Sequence, residues 1–152
     1  MATLITGLGL VGTSYAQLAL KRGESIVFYD VAPRKDFLAH KLGTANVTVV
    51  QGDVRELPAL VETMQKHKVD KVIHTAGLIG GKVAQPLYSG LQINVMGTIN
   101  VAEAVRLTGV KGWCKSAPWA LMTAGWRATT LLMKIFTAGP AKPMATLRWR
   151  RS

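Results

Sequence analysis

The sequence predicts an α/β fold built on a doubly wound parallel sheet of four or five strands. Three observations predict it. Strand-length apolar runs alternate with helix-compatible runs from the first residues to about position 112. The first run, Ala2 to Thr6, empties directly into Gly7-x-Gly9-x-x-Gly12 and then into a helix former. The second apolar run closes on an acid, Asp30, eighteen residues beyond Gly12.

The elements follow in order. After the strand Ala2 to Thr6, Leu10 to Arg22 forms a helix in which Leu10, Val11, Ala16, Leu18 and Leu20 offer apolar surface, and Gly23 ends it. Ser25 to Tyr29 is apolar on both faces, as a strand covered on both sides must be. Pro33 to Leu42 is a short helix with proline in its first turn and Gly43 past its end. Val47 to Gln51 is the third strand, Arg55 to Lys66 a helix, and Lys71 to Thr75 the fourth strand. A glycine-bearing loop, Ala76 to Lys82, leads to a long helix from Tyr88 to Leu107, with Leu91, Val95, Ile99, Val101, Ala102 and Val105 as its expected buried positions.

A strand, a glycine turn and a helix start together suit a dinucleotide. Gly7 permits the sharp exit from the strand, Gly9 lets a pyrophosphate approach the backbone, and Gly12 lets the helix lie close on the strand. The phosphates then face the unpaired N–H groups and positive dipole end of the helix. Leu10 and Val11 belong to the same motif, and Asp30 accepts from the adenosine ribose hydroxyls. In such sheets ligands bind beyond the carboxyl ends of the strands, where Gly7 to Gly12, Asp30, Asp53 and Thr75 to Gly77 all fall. The Asp30 carboxylate disfavours a 2′-phosphate, so NAD is expected, with NADP the alternative through Arg34 and Lys35; a solvated helix start is the plainer reading of that pair.

Residues 1 to about 112 resemble the N-terminal, Rossmann-like part of an extended short-chain dehydrogenase/reductase of the NAD-dependent epimerase/dehydratase group. The likeness rests on Thr6-Gly7-Leu8-Gly9-Leu10-Val11-Gly12, Asp30, Gln51-Gly52-Asp53-Val54, Val72-Ile73-His74-Thr75-Ala76-Gly77 and Asn94-Val95-Met96-Gly97-Thr98-Ile99-Asn100-Val101. Family members usually space these glycines Gly-x-x-Gly-x-x-Gly, and this chain is one residue tighter before Gly9. The resemblance implies that Asp53 and Val54 contact the adenine edge, that Thr75, Ala76 and Gly77 floor the ribose and pyrophosphate, and that Asn94 lies near the cofactor. It implies an oxidoreductase acting on a hydroxyl or carbonyl substrate, a nucleotide sugar among the candidates. Each residue also has a plainer reading. Asp53 opens a capping-box-like Asp-Val-Arg-Glu before a helix, Asn94 and Asn100 are compatible with solvent, and His74 within a buried strand is read as a packed core histidine rather than a catalytic one.

The family's acid/base pair, Tyr-x-x-x-Lys, is missing. Tyr15, Tyr29 and Tyr88 are followed four residues on by Ala19, Pro33 and Gln92, and Ser116 lies near the family's strand-end serine without matching surroundings. No catalytic residue is assigned, and this form is expected to bind cofactor weakly and turn over little. From Trp113 to Ser152 the pattern breaks: seven Lys or Arg, no acid, and all four tryptophans. Residues 1–112 carry 12 basic against 8 acidic side chains, so most of the net +11 sits in this tail. Such a boundary, 1–112 then 113–152, is what a reading-frame change, an alternative exon or a foreign end produces. The alternative is a non-catalytic dinucleotide sensor whose tail docks on a partner or an anionic surface. Nucleic-acid or membrane contact by the tail is not the expectation, because basic aromatic tails are often incidental. A small-molecule substrate in full-length relatives and a homodimer complete the expected partners. One cysteine, Cys114, excludes an internal disulfide framework and a multi-cysteine metal site, so a reducing, cytoplasmic setting is expected.

Overall fold

The computed structural model describes residues 1–43, 47–78 and 86–115. Five parallel strands stand in the order β3-β2-β1-β4-β5. They are β1 (Ala2–Thr6), β2 (Ser25–Asp30), β3 (Thr48–Gln51), β4 (Val69–His74) and β5 (Gly112–Lys115). The helices are α1 (Leu10–Lys21), α2 (Lys35–Leu42), α3 (Leu57–Lys66), α4 (Leu87–Leu91) and α5 (Gly97–Thr108), and a π-helical turn, Gln92–Met96, joins the last two.

Strand alternation builds two cores. Leu4, Val27, Tyr29 and Val72 pack on one face with Leu60 and Met64 of α3 and Val101 and Ala104 of α5. Ile5, Ile26, Phe28 and Ile73 pack on the other with Leu8 and Ala16 and Ala19 of α1. Apolar side chains on both faces of one strand therefore mean a sheet covered on both sides. The strand order reverses between β1 and β4, where doubly wound folds open a crevice at the carboxyl ends.

Three expectations need correction. The sheet continues past the expected break at 112: Gly112–Lys115 pairs with Lys71–His74 in parallel register. Its ladder is made by backbone groups, which are indifferent to the unusual side chains, and Trp113 still packs on the core. The helix expected over Tyr88–Leu107 runs continuously from Leu87 to Thr108 with a π turn at Gln92–Met96 within it, but Leu91, Val95 and Ile99 lie about half exposed rather than buried. The inward face of α5 is instead Gly97, Val101 and Ala104. Close approach decides this, because a Cβ on Gly97 would come within 2.6 Å of Val54 Cγ2. On α1 the buried face is likewise the small one, Gly12, Thr13, Ala16 and Ala19, while Leu10, Val11 and Leu18 face out. The expectations for Ser116 and for the rest of the tail lie outside the described residues, as does the end of the Ala76–Lys82 loop.

Candidate dinucleotide-binding site

Main-chain bonds carry the sheet past its strands and gather four strand ends. Gly7 N donates to Tyr29 O at 2.9 Å, Thr75 N to Thr6 O at 2.9 Å, and Gly52 N to Asp30 O at 3.0 Å. The glycine turn, Asp30, the Gly52–Asp53 loop and the Thr75–Leu78 segment thus share one edge.

The three glycines are required for three different reasons. Gly7 has φ +87°, and a Cβ there would sit 2.8 Å from Ala76 N. A Cβ on Gly12 would run into the Gly7 carbonyl oxygen and lie 3.0 Å from Thr75 Oγ1. A Cβ on Gly9 would meet nothing within 4 Å, and its φ of −104° suits any residue. Among the described residues nothing demands glycine at position 9, and the space above it is open. Gly9 caps the N-terminus of α1 without a side-chain bond, and Leu10 and Val11 behind it are exposed. Unpaired N–H groups and the dipole end therefore face that space, which fits a diphosphate.

Asp30 points at this turn. Its Oδ2 accepts from Leu8 N at 2.6 Å and its Oδ1 from Ala32 N at 2.8 Å. A carboxylate has about four acceptor sites, so capacity remains for ribose hydroxyls. Arg34, the residue weighed for a 2′-phosphate, lies over the Phe37 ring with its guanidinium carbon 4.8 Å from the centroid.

Asp53 does not cap α3. That helix begins at Leu57, and Glu56 stands at its cap without a side-chain bond. Asp53 Oδ1 instead accepts from Arg55 N at 2.9 Å, and Oδ2 from Arg55 Nε at 2.9 Å and from Nη2 at 2.5 Å. The Arg55 hydrogen bonds hold the carboxyl below its ordinary range. Val54 turns its side chain into the core. Tyr29 braces the loop by donating from its hydroxyl to Asp53 O at 3.1 Å. Burial, and then the Asp53 and Glu56 charges, push that phenol up to about 12.

The floor is tied to β1: Thr75 Oγ1 donates to Thr6 O at 2.7 Å and to Gly7 O at 3.1 Å. Asn94 does not face solvent. From the π turn its Oδ1 accepts from Leu78 N at 2.8 Å and its Nδ2 donates to Leu78 O at 3.0 Å, a two-bond clasp that holds the segment after Gly77. Asn100 likewise holds the β3–α3 loop, donating from Nδ2 to Val54 O at 3.2 Å and to Arg55 O at 2.8 Å.

His74 is fully buried, as its core reading requires. Its Nδ1 lies 2.6 Å from Thr6 Oγ1 and its Nε2 lies 3.2 Å from Thr98 Oγ1. Burial first, and the Lys115 charge second, push its pKa down to about 4. Sequence reasoning missed Thr6, Thr98, Lys115 and Tyr29 as site-building residues. The one signal available was that Thr98 falls one helical turn after Asn94.

A glycine turn, a strand-end acid and a clasped floor at the switch point define a dinucleotide-binding α/β domain. The family model "NAD dependent epimerase/dehydratase family" matches residues 3–117, and the chain belongs to this family. It is 33% identical over 124 residues to a UDP-glucose 4-epimerase of Klebsiella pneumoniae, covering 77% of this chain and 88% of that one. It is 33% identical over 112 residues to a CDP-paratose 2-epimerase of Salmonella typhi, covering 70% of this chain and 33% of that one. Among solved structures, it is similar to a UDP-glucose 4-epimerase from Stenotrophomonas maltophila with bound NAD and formylated UDP-arabinopyranose (TM-score 0.68, 26% identity, 76% of this chain and 36% of that one). A UDP-glucose 4-epimerase from Brucella ovis in complex with NAD is also similar (TM-score 0.65, 27% identity, 75% and 34%). The chain thus spans about a third of the length of these two solved structures and of the paratose epimerase.

Proposed function

We propose that this chain is the NAD-binding part of an epimerase/dehydratase-type oxidoreductase whose substrate is a nucleoside-diphosphate sugar. The observation that carries it is the open space above Gly9 at a helix start, with the Asp30 carboxylate fastened to the same turn. NAD supplies reversible hydride transfer when bound. The chain's own residues seat it. Gly9, Leu10 and Val11 face the diphosphate, and Gly12 keeps α1 close beneath it. Asp30 accepts from the ribose, while Asp53 accepts from the adenine amine and Val54 meets the base through its main chain. Thr75, Ala76 and Gly77 form the floor, and Asn94 holds that floor in place. The sugar-nucleotide substrate is supported by what the similar epimerases are named for and crystallised with.

Turnover by this form is proposed to be low, because no Tyr-x-x-x-Lys stands anywhere in the 152 residues. A homodimer is supported by the half-exposed apolar side chains of Leu91, Val95 and Ile99, spaced four residues apart along the run from α4 through the π turn to α5. The free, exposed Cys114 supports a reducing, cytoplasmic setting. Among the described residues no helix is long and apolar enough to cross a membrane.

Calorimetry on the full chain tests the reading. NAD is expected to bind more tightly than NADP, and Asp30→Ala to weaken NAD about tenfold by removing a charged acceptor. A folded chain that takes up neither dinucleotide would overturn it.

A further inference from the structure

The buried polar groups behind the site form one chain whose donors and acceptors leave a single solution. Lys115 Nζ lies 2.7 Å from Thr98 Oγ1, and an ammonium only donates. Thr98 Oγ1 itself lies 2.7 Å from Asn94 O, one turn back in the helix, and a carbonyl only accepts, so the hydroxyl proton goes there. One lone pair of Thr98 Oγ1 is then left for His74 Nε2. Were Nε2 unprotonated, two lone pairs would face each other inside the protein, at the cost of an unsatisfied buried acceptor. Nε2 must carry the proton. In the neutral ring Nδ1 is then bare, and the Thr6 hydroxyl, 2.6 Å away, donates to it.

We propose that His74 is a positioning residue of the dinucleotide site, locked as the neutral Nε2–H tautomer, with one ring nitrogen holding Thr6 at the mouth of the glycine turn and the other holding Thr98 on α5. Both ends of this tie reach the seat. Thr6 precedes Gly7 and offers its carbonyl to Thr75 Oγ1. Thr98 is bonded to the main chain of Asn94, whose side chain clasps Leu78. The ring is fully buried and Lys115 is the charge beside it, so the neutral form is the one the site accommodates. The Nε2 proton stands on the hydrogen-bond inventory and the bare Nδ1 on burial beside the Lys115 ammonium, whereas the positioning role rests on the dinucleotide reading given above.

Long-range proton–nitrogen correlation spectra of the histidine rings in the full, nitrogen-15-labelled chain test the tautomer without any substitution. The ring whose signals vanish in His74→Asn is expected to show a protonated Nε2 and a bare Nδ1, unchanged from pH 8 to pH 5. An Nδ1–H pattern, or titration within that range, overturns the assignment. Two amide variants then test the role. The Asn carbonyl replaces Nδ1 and keeps the Thr6 tie, and the Gln amide replaces Nε2 and keeps only the Thr98 tie. At equal melting temperature, His74→Asn is expected to hold NAD within about threefold of wild type and His74→Gln to lose about tenfold, the scale of one lost hydrogen-bonded constraint. Wild-type affinity in both variants overturns the positioning role. If wild type binds no NAD while the spectra show Nε2–H, the dinucleotide reading and the role fall and the tautomer stands.

Discussion

Substituting alanine at each glycine of the turn separates what the fold requires from what the ligand requires. At Gly7 the added Cβ forces an L-residue to φ +87° and sits 2.8–3.0 Å from the Thr75–Ala76 backbone, which cannot step aside. Left-handed strain costs about 1–2 kcal/mol and overpacking about 1–3, so Gly7→Ala is expected to lose about 3 kcal/mol. At Gly12 the methyl meets the Gly7 carbonyl oxygen, and the roughly 1 kcal/mol that alanine gains over glycine inside a helix does not offset that collision. At Gly9 the methyl enters open space with an ordinary φ. There the unfolded chain loses more freedom than the folded one, so Gly9→Ala is expected to gain about 0.5 kcal/mol or change nothing. Its NAD affinity should nevertheless fall at least about tenfold, because the methyl occupies the space proposed for the diphosphate. Urea denaturation gives the stabilities and calorimetry the affinities. A Gly9→Ala chain that folds and binds NAD like wild type would refute the reasoning, and so would one that unfolds as readily as Gly7→Ala.

Two further perturbations follow from the buried polar groups. The pKa of His74 is pushed from 6.5 to about 4 in the folded state, so below pH 6.5 the unfolded chain takes up a proton that the folded chain refuses. Stability is therefore expected to fall by about 2 kcal/mol between pH 7 and pH 5, and to level off below the folded value. His74→Asn should remove that slope from urea midpoints measured across the range, and an unchanged slope would refute the assignment to His74. Asn94→Ala strips both partners from Leu78, at an expected cost of about 1–3 kcal/mol. Faster amide hydrogen exchange at Leu78 than at Thr75 in that variant is the specific check, because Thr75 N keeps its bond to Thr6 O.

The strand ends were legible because each is marked by a residue type that a turn or a ligand demands: three spaced glycines, an acid closing an apolar run, and the Gly-Asp pair after β3. The sheet itself was legible because two-sided burial leaves continuous apolar runs, as in Ile26-Val27-Phe28-Tyr29. The inward face of α5 was not legible. Two stripes on that helix are apolar, and close packing selects the smaller one, a decision that depends on where Val54 lies. Asn94 was legible as a position but not as a clasp, since the π turn that aims it at Leu78 leaves no periodic mark. The partners of His74 were hidden by separation, Thr6 lying 68 residues away and Thr98 lying 24. Asp53 misled in a specific way: its capping-box spacing is real, but Arg55 takes the carboxylate first and Pro58 helps set a later helix start.

The same pKa shifts bear on whether this form can turn over substrate. Acid/base catalysis near neutral pH needs a group whose pKa lies near the working pH. The groups that the site brings closest to that task are Tyr29 and His74, and the fold moves them in opposite directions. The Tyr29 phenol is driven to about 12 by burial and by the neighbouring carboxylates, and its proton is already committed to Asp53 O. His74 is driven to about 4, with both nitrogens held by threonines. One holds its proton too tightly to give it up, and the other will not accept one. Both make structural hydrogen bonds instead: Tyr29 braces the loop that carries Asp53, and His74 lies between Thr6 of β1 and Thr98 of α5. Tyr29 and His74 are thus tuned away from proton transfer near neutral pH, whereas burial moves the Lys115 ammonium downward from its ordinary value.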